Sequence, residues 1–573
     1  MSKKIVIVGG VAGGATTAAR LRRLDETSEI VLFEKGEYIS FANCGLPYYI
    51  GETIKDRDAL LVQTVEGMSK KFNLDIRNLS EVVSIDRNHK TIVVKNVQTG
   101  ELYDETYDKL VLSPGAKPLV PPIPGLDKAE DVFTLRNIPD TDKIKDFVDN
   151  AKPGKATVIG GGFIGVEMAE NLHERGVEVT LVEAANQIMA PVDYEMASIL
   201  HQHLRDTGVN LILEDGVKEF KDYGRKIVLN SGLEVENDLV ILSIGVKPES
   251  KLAVDAGLEV GERGGIKVND YLQTNDPDIY AIGDAIEVTD YITRKPTMIP
   301  LAWPANRQGR IVANNIYGKE ERYQGTMGTS IAKVFDYTVA ATGNNEKLLQ
   351  RHGIEYKVVH VHPGSHAGYY PGSYPIALKL IFDPDTGKIF GAQGVGQDGV
   401  DKRIDVIATA IKGGLTVEDL PNLELAYAPP FSSAKDPVNM AGYVAVNMME
   451  EMTDTVQWHE IDEIVANGGY LIDVREPAER KFGYIKGSKN IPLPELRERL
   501  NELPKNEVIH VTCQVGLRGY LATRLLTENG FTVKNLDGGW KTYSSVFGTG
   551  VGAADTEVND SGVARAAKKD EEI

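Results

Sequence analysis

Cysteine is almost absent: among 573 residues only Cys44 and Cys513 occur, which excludes a disulfide framework and indicates a reducing compartment. Long apolar runs are absent too; none approaches the roughly 18 residues that a membrane-spanning helix requires. The first apolar run, residues 5–8, is too short for a signal-peptide core and reads as a strand. Positive charge is in deficit, 63 lysines and arginines against 83 acidic residues, for a net charge of −20. No basic face is offered to a phosphate backbone, which argues against nucleic acid, although Arg20-Leu21-Arg22-Arg23 is a local basic patch. Together these shortages describe a cytoplasmic chain with neither a nucleic-acid nor a membrane partner. What remains is an ordinary globular balance, 42% hydrophobic and 25% charged, over a length far beyond one core, so several domains are expected.

Two segments echo each other. Lys4-Ile5-Val6-Ile7-Val8-Gly9-Gly10-Val11-Ala12-Gly13-Gly14 and Ala156-Thr157-Val158-Ile159-Gly160-Gly161-Gly162-Phe163-Ile164-Gly165 are each a β-rich run, a glycine-rich turn and a helical pattern. That is how a βαβ nucleotide-binding unit begins. A proline-studded crossover, 118–124, lies between them. From about 325 to 447 the pattern turns to strands (331–335, 376–382) and then to a helix from Asp401 onward, an α+β module. Beyond the polar stretch 450–454, Leu471-Ile472-Asp473-Val474 and Val508-Ile509-His510-Val511 read as buried strands of a small α/β domain.

In the second turn, Gly160, Gly162 and Gly165 permit a tight bend and close approach of the backbone to a pyrophosphate held at a helix N-terminus. The next strand ends at Glu183, eighteen residues beyond Gly165. A carboxylate there accepts hydrogen bonds from both ribose hydroxyls and repels a 2′-phosphate, so NADH is favoured, with NADPH the lesser candidate. The first turn carries Gly9, Gly13 and Gly14 but has Val11 at the middle glycine position, and Glu34 closes its following strand.

With these turns, Leu112-Ser113-Pro114-Gly115-Ala116 and the stretch 274–284 ending in Gly283-Asp284, residues 1–447 resemble the two-dinucleotide-fold flavoprotein disulfide reductases. The resemblance implies FAD at the first site (Gly9, Gly13, Gly14, Glu34, Lys35, Asn43, Gly115, Gly283, Asp284). It implies NAD(P)H at the second (Gly160, Gly162, Gly165, Glu183), and a homodimer whose interface is the third module.

Dithiol members of that family carry a second cysteine a few residues after the first. Here Cys44 stands alone in Ser40-Phe41-Ala42-Asn43-Cys44-Gly45-Leu46-Pro47-Tyr48, so no intramolecular redox disulfide can form there. A single thiolate cycles either through a mixed disulfide with substrate or through sulfenic acid. The motif is similar to that of the coenzyme A-disulfide reductases and their persulfide-reducing relatives. NADH peroxidases carry a histidine in the first glycine turn, where Ala12 stands here. The resemblance implies a coenzyme A pocket at Thr16, Arg20, Arg23, Ser40, Asn43 and Lys71, and contacts from the other subunit by Tyr369, Tyr427 and Lys435. A lowered Cys44 pKa is expected, supplied by a helix N-terminus and the flavin.

Cys513-Gln514-Val515-Gly516-Leu517-Arg518 follows a buried strand and precedes a helical pattern, a loop whose backbone N–H groups can face an anionic persulfide. With Asp473-Val474-Arg475-Glu476-Pro477 upstream and Asp537-Gly538-Gly539-Trp540 downstream it resembles the rhodanese domains, and the four residues between Cys513 and Arg518 match the sulfurtransferase spacing. His360, His362 and His366 lack ligand partners at metal spacing and read as surface or interface histidines, so no metal is expected.

The expected architecture is α/β: two Rossmann-like dinucleotide-binding domains, an α+β dimerisation domain and a rhodanese-like α/β domain. The boundaries are FAD-binding at 1–118 and 248–324, NAD(P)H-binding at 119–247, dimerisation at 325–447, rhodanese at 455–547 and a disordered tail at 548–573. The expected activity is NADH-dependent reduction of coenzyme A disulfide, coenzyme A persulfide or polysulfide through Cys44, with Cys513 and Arg518 handling sulfane sulfur. The rivals are an NADH oxidase cycling through a Cys44 sulfenic acid and a non-turnover persulfide carrier or redox sensor.

Overall fold

The computed structural model describes residues 3–548 and the two strands Thr556–Val558 and Ala564–Ala566. Those strands pair antiparallel, so part of the tail expected to be disordered has local structure; the rest of 549–573 lies outside the described residues. The chain divides into two compact units, one of Met1–Ile188 with Gly208–Gly328, the other of Met189–Thr207 with Thr329–Ile573.

The first unit is a doubled plan. Its first parallel sheet runs Ile279–Ala281, Lys109–Leu112, Lys4–Val8, Glu29–Phe33, Asp75–Arg77. Its second runs Asn210–Ile212, Glu178–Val182, Lys155–Ile159, Leu239–Leu242, Val132–Phe133. The central strands are near-continuous Val, Ile and Leu because both faces are covered, and Ile5, Val6 and Ile7 are wholly buried. Each sheet is joined by a three-stranded antiparallel meander (Ser80–Asp86, Thr91–Asn96, Leu102–Thr106, and Val217–Lys221, Lys226–Leu229, Glu234–Glu236). In both sheets the strand order switches sides at the central strand, which pairs in parallel with a neighbour on each flank, Val8 against Leu112 and Ile159 against Leu242 on the far side. The glycine turns emerge there, at the crevice where open α/β sheets bind ligands. The crossovers out and back, Ala116–Pro118 and Val246–Pro248, pair as an antiparallel ribbon.

The second unit holds two sheets. The antiparallel one runs Ser330–Val334, Tyr337–Gly343, Ile389–Gly396, Ile376–Phe382, Lys357–Val361 and packs with the helices Val400–Gly413 and Pro437–Met449. The parallel one runs Asp454–Val456, Thr532–Leu536, Val508–Thr512, Tyr470–Asp473, Lys489–Asn490. Helix Tyr194–Asp206, embedded in sequence within the stretch 119–247, belongs to this unit. Polar chemistry holds it there. The Asp193 N–H donates to Gln393 at 2.7 Å, and His203 stacks on Tyr337 with ring centres 4.2 Å apart.

At its base lies a buried charge cluster. The Lys379 ammonium, fully buried, is bound by Asp193 at 2.9 Å and by Glu195 and Glu346. These three acids bring their oxygens within 4.8 Å of one another, as cation ligands would, but the lysine is the cation that fills the cage. Burial alone would lower the Lys379 pKa; Glu195, Asp193 and Glu346 outweigh it and hold it well above its ordinary value. Of the three histidines expected at a surface or an interface, two are buried. His360 is buried, donating its backbone N–H to Asp537 at 3.0 and 3.1 Å, with its ring 2.7 Å from Asp537 and 2.9 Å from Glu195. His366 is buried as well, and half-buried His362 sits 2.7 Å from the Thr542 hydroxyl. For His360 the physical reason is the pair of carboxylates, which make an interior imidazolium tolerable.

Replacing Lys379 by Met takes the cation from buried Asp193 and Glu195 and half-buried Glu346 and should cost about 3–5 kcal/mol, read by denaturant unfolding of the second unit's transition; a loss below about 1 kcal/mol contradicts the cage. Burial lowers the His360 pKa, but Asp537 and Glu195 reverse this and raise it to about 9 from 6.5. Its stabilisation is therefore complete below about pH 6.5 and is lost as pH rises through about 9. A melting-temperature profile should fall across that window more steeply in the unsubstituted protein than in His360→Gln; parallel profiles would refute the ion pair.

Candidate active site

Both glycine turns are built on the same steric demand. A Cβ on Gly14 would lie 1.8 Å from the Gly9 carbonyl oxygen, and one on Gly165 would lie 1.8 Å from that of Gly160. Gly9 and Gly160 have φ of +99° and +107°, with a neighbouring carbonyl 2.0 and 2.4 Å from any Cβ. Only glycine fits these four positions. The middle position is different. Gly162 has open space and φ of −77°, and Val11 in the first turn has φ of −91°, so a side chain is accommodated there. That is why Val11 does not break the turn.

The paired carboxylates take matching stations. Glu34 accepts from the Gly10 and Gly36 N–H groups, each at 2.8 Å; Glu183 accepts from Gly161 at 2.7 Å and Ala185 at 2.8 Å. Each is held at the end of its strand facing the turn, where a ribose would lie. Lys35 is turned away into an ion pair with Glu249 at 2.9 Å. The Gly283 N–H donates to Gln308 at 2.7 Å, and Gly115, at φ +72°, has open space around it. Burial raises the Asp284 pKa, opposed by Arg136. A cradle of glycine backbone beside helix Ala12–Leu24, with a fixed acid at the adenosine end, fits FAD. Its twin beside helix Phe163–Glu174 fits a pyridine nucleotide.

Cys44 lies in the turn Asn43–Gly45, just ahead of the short helix Leu46–Ile50. That helix packs on Phe163–Glu174, where a Cβ on Gly51 would meet the Asn171 side chain at 2.0 Å, and Arg175 donates to the Ile50 carbonyl at 2.9 Å. Charges from both dinucleotide modules bear on the thiol: Asp284 from the first, Glu167 from the second. Although the residue is exposed, its thiol is partly withdrawn from water. That desolvation first, then the charges of Glu167 and Asp284, raises its pKa. Against the expectation of a lowered pKa, the protein's own groups raise it, chiefly because the thiol is desolvated and secondarily because the charges of Glu167 and Asp284 bear on it. Glu167 is itself pushed up to about 7, chiefly by burial and then by Glu170, against a hydrogen bond from Tyr48. It therefore changes charge near neutrality beside the thiol.

The residues matched to a coenzyme A pocket fall in two groups. In the first unit, Thr16, Arg20 and Arg23 recur along one face of helix Ala12–Leu24. Thr16 donates to Asn306 at 2.5 Å and Arg20 to Asn314 at 3.1 Å, both on helix Ala302–Ile316. Desolvation, then the like charges of Arg310 and Arg23, lowers the Arg20 pKa, so these guanidinium groups form a crowded positive site open to an anion. Arg22, buried, ties this helix to the Phe72 and Asn73 carbonyls at 3.0 and 2.8 Å, the end of the helix that carries exposed Lys71. Ser40 is held in a left-handed conformation at φ 43°, its N–H on the Gly10 carbonyl, and Asn43 is exposed. Tyr369, Tyr427 and Lys435 lie in the second unit. The two phenol oxygens are 2.8 Å apart on exposed side chains, and the Lys435 ammonium lies 5.5 Å from the Tyr443 ring centre.

Cys513 is buried at the end of strand Val508–Thr512, with the Gly516 N–H 3.1 Å from its sulfur. The loop rests on the segment carrying Asp537: Trp540 donates to the Cys513 carbonyl at 2.7 Å and Lys541 to that of Gln514 at 3.0 Å. Arg518 is bound by both oxygens of Glu479 at 2.7 Å. Sequence reasoning missed Glu167, Arg310 and Glu479. Each acts across a long sequence separation, and none carries a local spacing signal.

The pyridine nucleotide-disulphide oxidoreductase family matches residues 3–309, its dimerisation domain residues 329–437, and the rhodanese-like domain residues 457–545. The chain belongs to the pyridine nucleotide-disulphide oxidoreductase family, enzymes that use FAD and NAD(P)H, and carries a rhodanese domain after it. It is 40% identical over 444 residues to the coenzyme A disulfide reductase of Staphylococcus haemolyticus, covering 77% of this chain and 99% of that one. Among solved structures it is similar to the reduced CoADR-RHD of Bacillus anthracis, at 64% identity and TM-score 0.94, covering 95% of this chain and 98% of that one. It is also similar to an NAD-dependent persulfide reductase from A. fulgidus, at 38% identity and TM-score 0.88, covering 94% and 100%.

Alkylation of Cys44, followed in a Cys513→Ser background, should run roughly two- to fivefold faster between pH 7 and 9 in Glu167→Gln, because one repelling charge is gone. An unchanged rate would show that Glu167 does not bear on the thiol.

Proposed function

We propose that this chain is an NADH-dependent reductase of coenzyme A disulfide, coenzyme A persulfide or polysulfide that works through a mixed disulfide on Cys44. The observation that carries the reading is one thiol, without a cysteine neighbour, just ahead of a helix that packs on the second dinucleotide module, with charges of both modules bearing on it. The named relatives, a coenzyme A disulfide reductase and a persulfide reductase, support the same substrate class.

Bound FAD supplies a path by which a hydride from NADH becomes an electron pair delivered to sulfur. The chain's own residues do the rest. The Cys44 thiolate attacks one sulfur of R–S–S–R′, the substrate S–S bond breaks, and one thiolate leaves while the other half stays on Cys44. Two electrons then restore the Cys44 thiolate and release the second thiol. Glu167, titrating near neutrality, is placed to hold a proton beside that sulfur. Arg20, Arg23, Lys71 and Arg310 would meet the phosphates of the coenzyme, with Thr16, Ser40 and Asn43 along the same mouth. The chain acts as a homodimer, in which the partner subunit's Tyr369 and the partner subunit's Tyr427 donate to the leaving thiolate and the partner subunit's Lys435 contacts the substrate. Glu183 favours NADH, since a 2′-phosphate would face its carboxylate. Cys513 carries sulfane sulfur toward the reductase. Two free thiols that must stay reduced fit the cytoplasm, and among the described residues no helix is long and apolar enough to cross a membrane.

Anaerobic stopped-flow with NADH and coenzyme A persulfide tests this. Rapid multiple turnover is expected, and Cys44→Ser should abolish it while flavin reduction by NADH persists. Undiminished turnover in that variant refutes the mechanism. Turnover only with oxygen would indicate an oxidase, and a single reduction without turnover a sensor. Replacing Glu183 by Ala should erode the preference for NADH over NADPH by about tenfold or more in kcat/KM.

A further inference from the structure

The mouth of the Cys513 site is electrically closed. Arg518, in the first turn of the helix that follows the reactive loop, is held by both oxygens of Glu479 at 2.7 Å, and the Cys513 charge itself bears on it. Glu479 cannot swing away freely, because its carboxylate also accepts from the Glu476 N–H at 3.0 Å as part of a helix cap. The other two arginines are spent in the same way. Arg475 is paired with buried Asp473 at 2.9 Å while touching Gln514 of the loop at 3.2 Å, and Arg480 shares the same aspartate at 2.8 Å. Lys541, on the segment beneath the loop, has its pKa lowered by burial, and its charge bears on His362. Two of the three guanidinium charges are thus cancelled by the carboxylates of Asp473 and Glu479, which weakens the pull on an incoming dianion, and Lys541 is the further cation near the loop.

The rim is apolar. Phe482 is 79% exposed and sits in the turn of Glu479, its N–H on the Glu479 carbonyl; Leu517, 57% exposed, precedes Arg518, and Leu521, 49% exposed, follows one helical turn on. Exposed apolar side chains close along the chain to Glu479 and to Arg518 suit an organic arm bearing a terminal persulfide, not a small hydrated oxyanion.

We propose that Glu479 is a specificity-determining residue: by neutralising Arg518 it turns thiosulfate-like dianions away from Cys513 and reserves the site for organic persulfides. This rests on the reading of Cys513 as a sulfane-sulfur carrier. The transfer is R–S–SH plus the Cys513 thiolate giving Cys513–S–SH plus RS⁻. A new bond joins the Cys513 sulfur to the outer sulfur, the donor S–S bond breaks, and its electron pair leaves on the thiolate. With thiosulfate the same attack must approach a dianion and expel sulfite.

The test is sulfur transfer to cyanide by the full-length flavoprotein without NADH, with thiosulfate and glutathione persulfide as donors and Cys513→Ser as blank. Glu479→Gln keeps an acceptor for the Glu476 N–H but removes the charge. It should raise kcat/KM for thiosulfate about tenfold or more, mainly through KM, while persulfide transfer stays within about twofold. Arg518→Gln, which leaves Glu479 unpaired, should shift the donor ratio the other way. An unchanged ratio in both variants, or an equal fall for both donors, overturns the proposal. If the unsubstituted protein transfers sulfur from neither donor while Cys44-dependent turnover persists, the carrier reading itself fails, and this proposal with it.

Discussion

The approach of one backbone to another, closer than any side chain allows, is the constraint on which this molecule is built. At Gly14 and Gly165 a carbonyl oxygen occupies the place where a Cβ would stand, 1.8 Å away. Each helix is thereby pressed against the turn that precedes it, and each turn's N–H groups are left facing the crevice at the strand ends. Glu34 and Glu183 are drawn onto those same amides. From this one steric device, used twice, follow two nucleotide-shaped cradles and the position of everything between them.

What lies between them is a sulfur in a negative setting. Reactive thiols are commonly read as lying beside cations, yet Cys44 faces Glu167 and Asp284. The arrangement suits a thiol that is to receive electrons from one side and a phosphate-bearing substrate from the other. Positive charge gathers on helix Ala12–Leu24, where the like charges of Arg310 and Arg23 bear on Arg20. The second thiol site uses the opposite economy: its arginines are all internally matched, and the loop around Cys513 is positioned by hydrogen bonds from Trp540 and Lys541.

The second unit shows how buried charge organises a module. Lys379 and His360 are cations in the interior, each surrounded by acids, and together they link helix Tyr194–Asp206, the antiparallel sheet and the Asp537 segment under the Cys513 loop. Such clusters seldom add net stability over an apolar core, but they penalise any arrangement that leaves one member unpaired, which fixes register and position.

Much of this was legible from residue order alone, because it depends on neighbours along the chain. Continuous Val, Ile and Leu runs mark strands buried on both faces; glycines at set spacings mark turns that admit no Cβ; a carboxylate closing the next strand marks a ribose station. Cys44 and Cys513 announce themselves by their scarcity and by the motifs around them. Other features have no local signature, since they arise when distant side chains meet. Nothing near Cys44 in the chain says that burial, with the charges of Glu167 and Asp284, will raise its pKa. Nothing near residue 193 says that it will join Lys379, and nothing near His360 says that it will be buried against Asp537. Residue order set which backbone shapes were open at each turn and strand; the folded arrangement set the charges each thiol sees, because electrostatic energy depends on distance through space and not on separation along the chain.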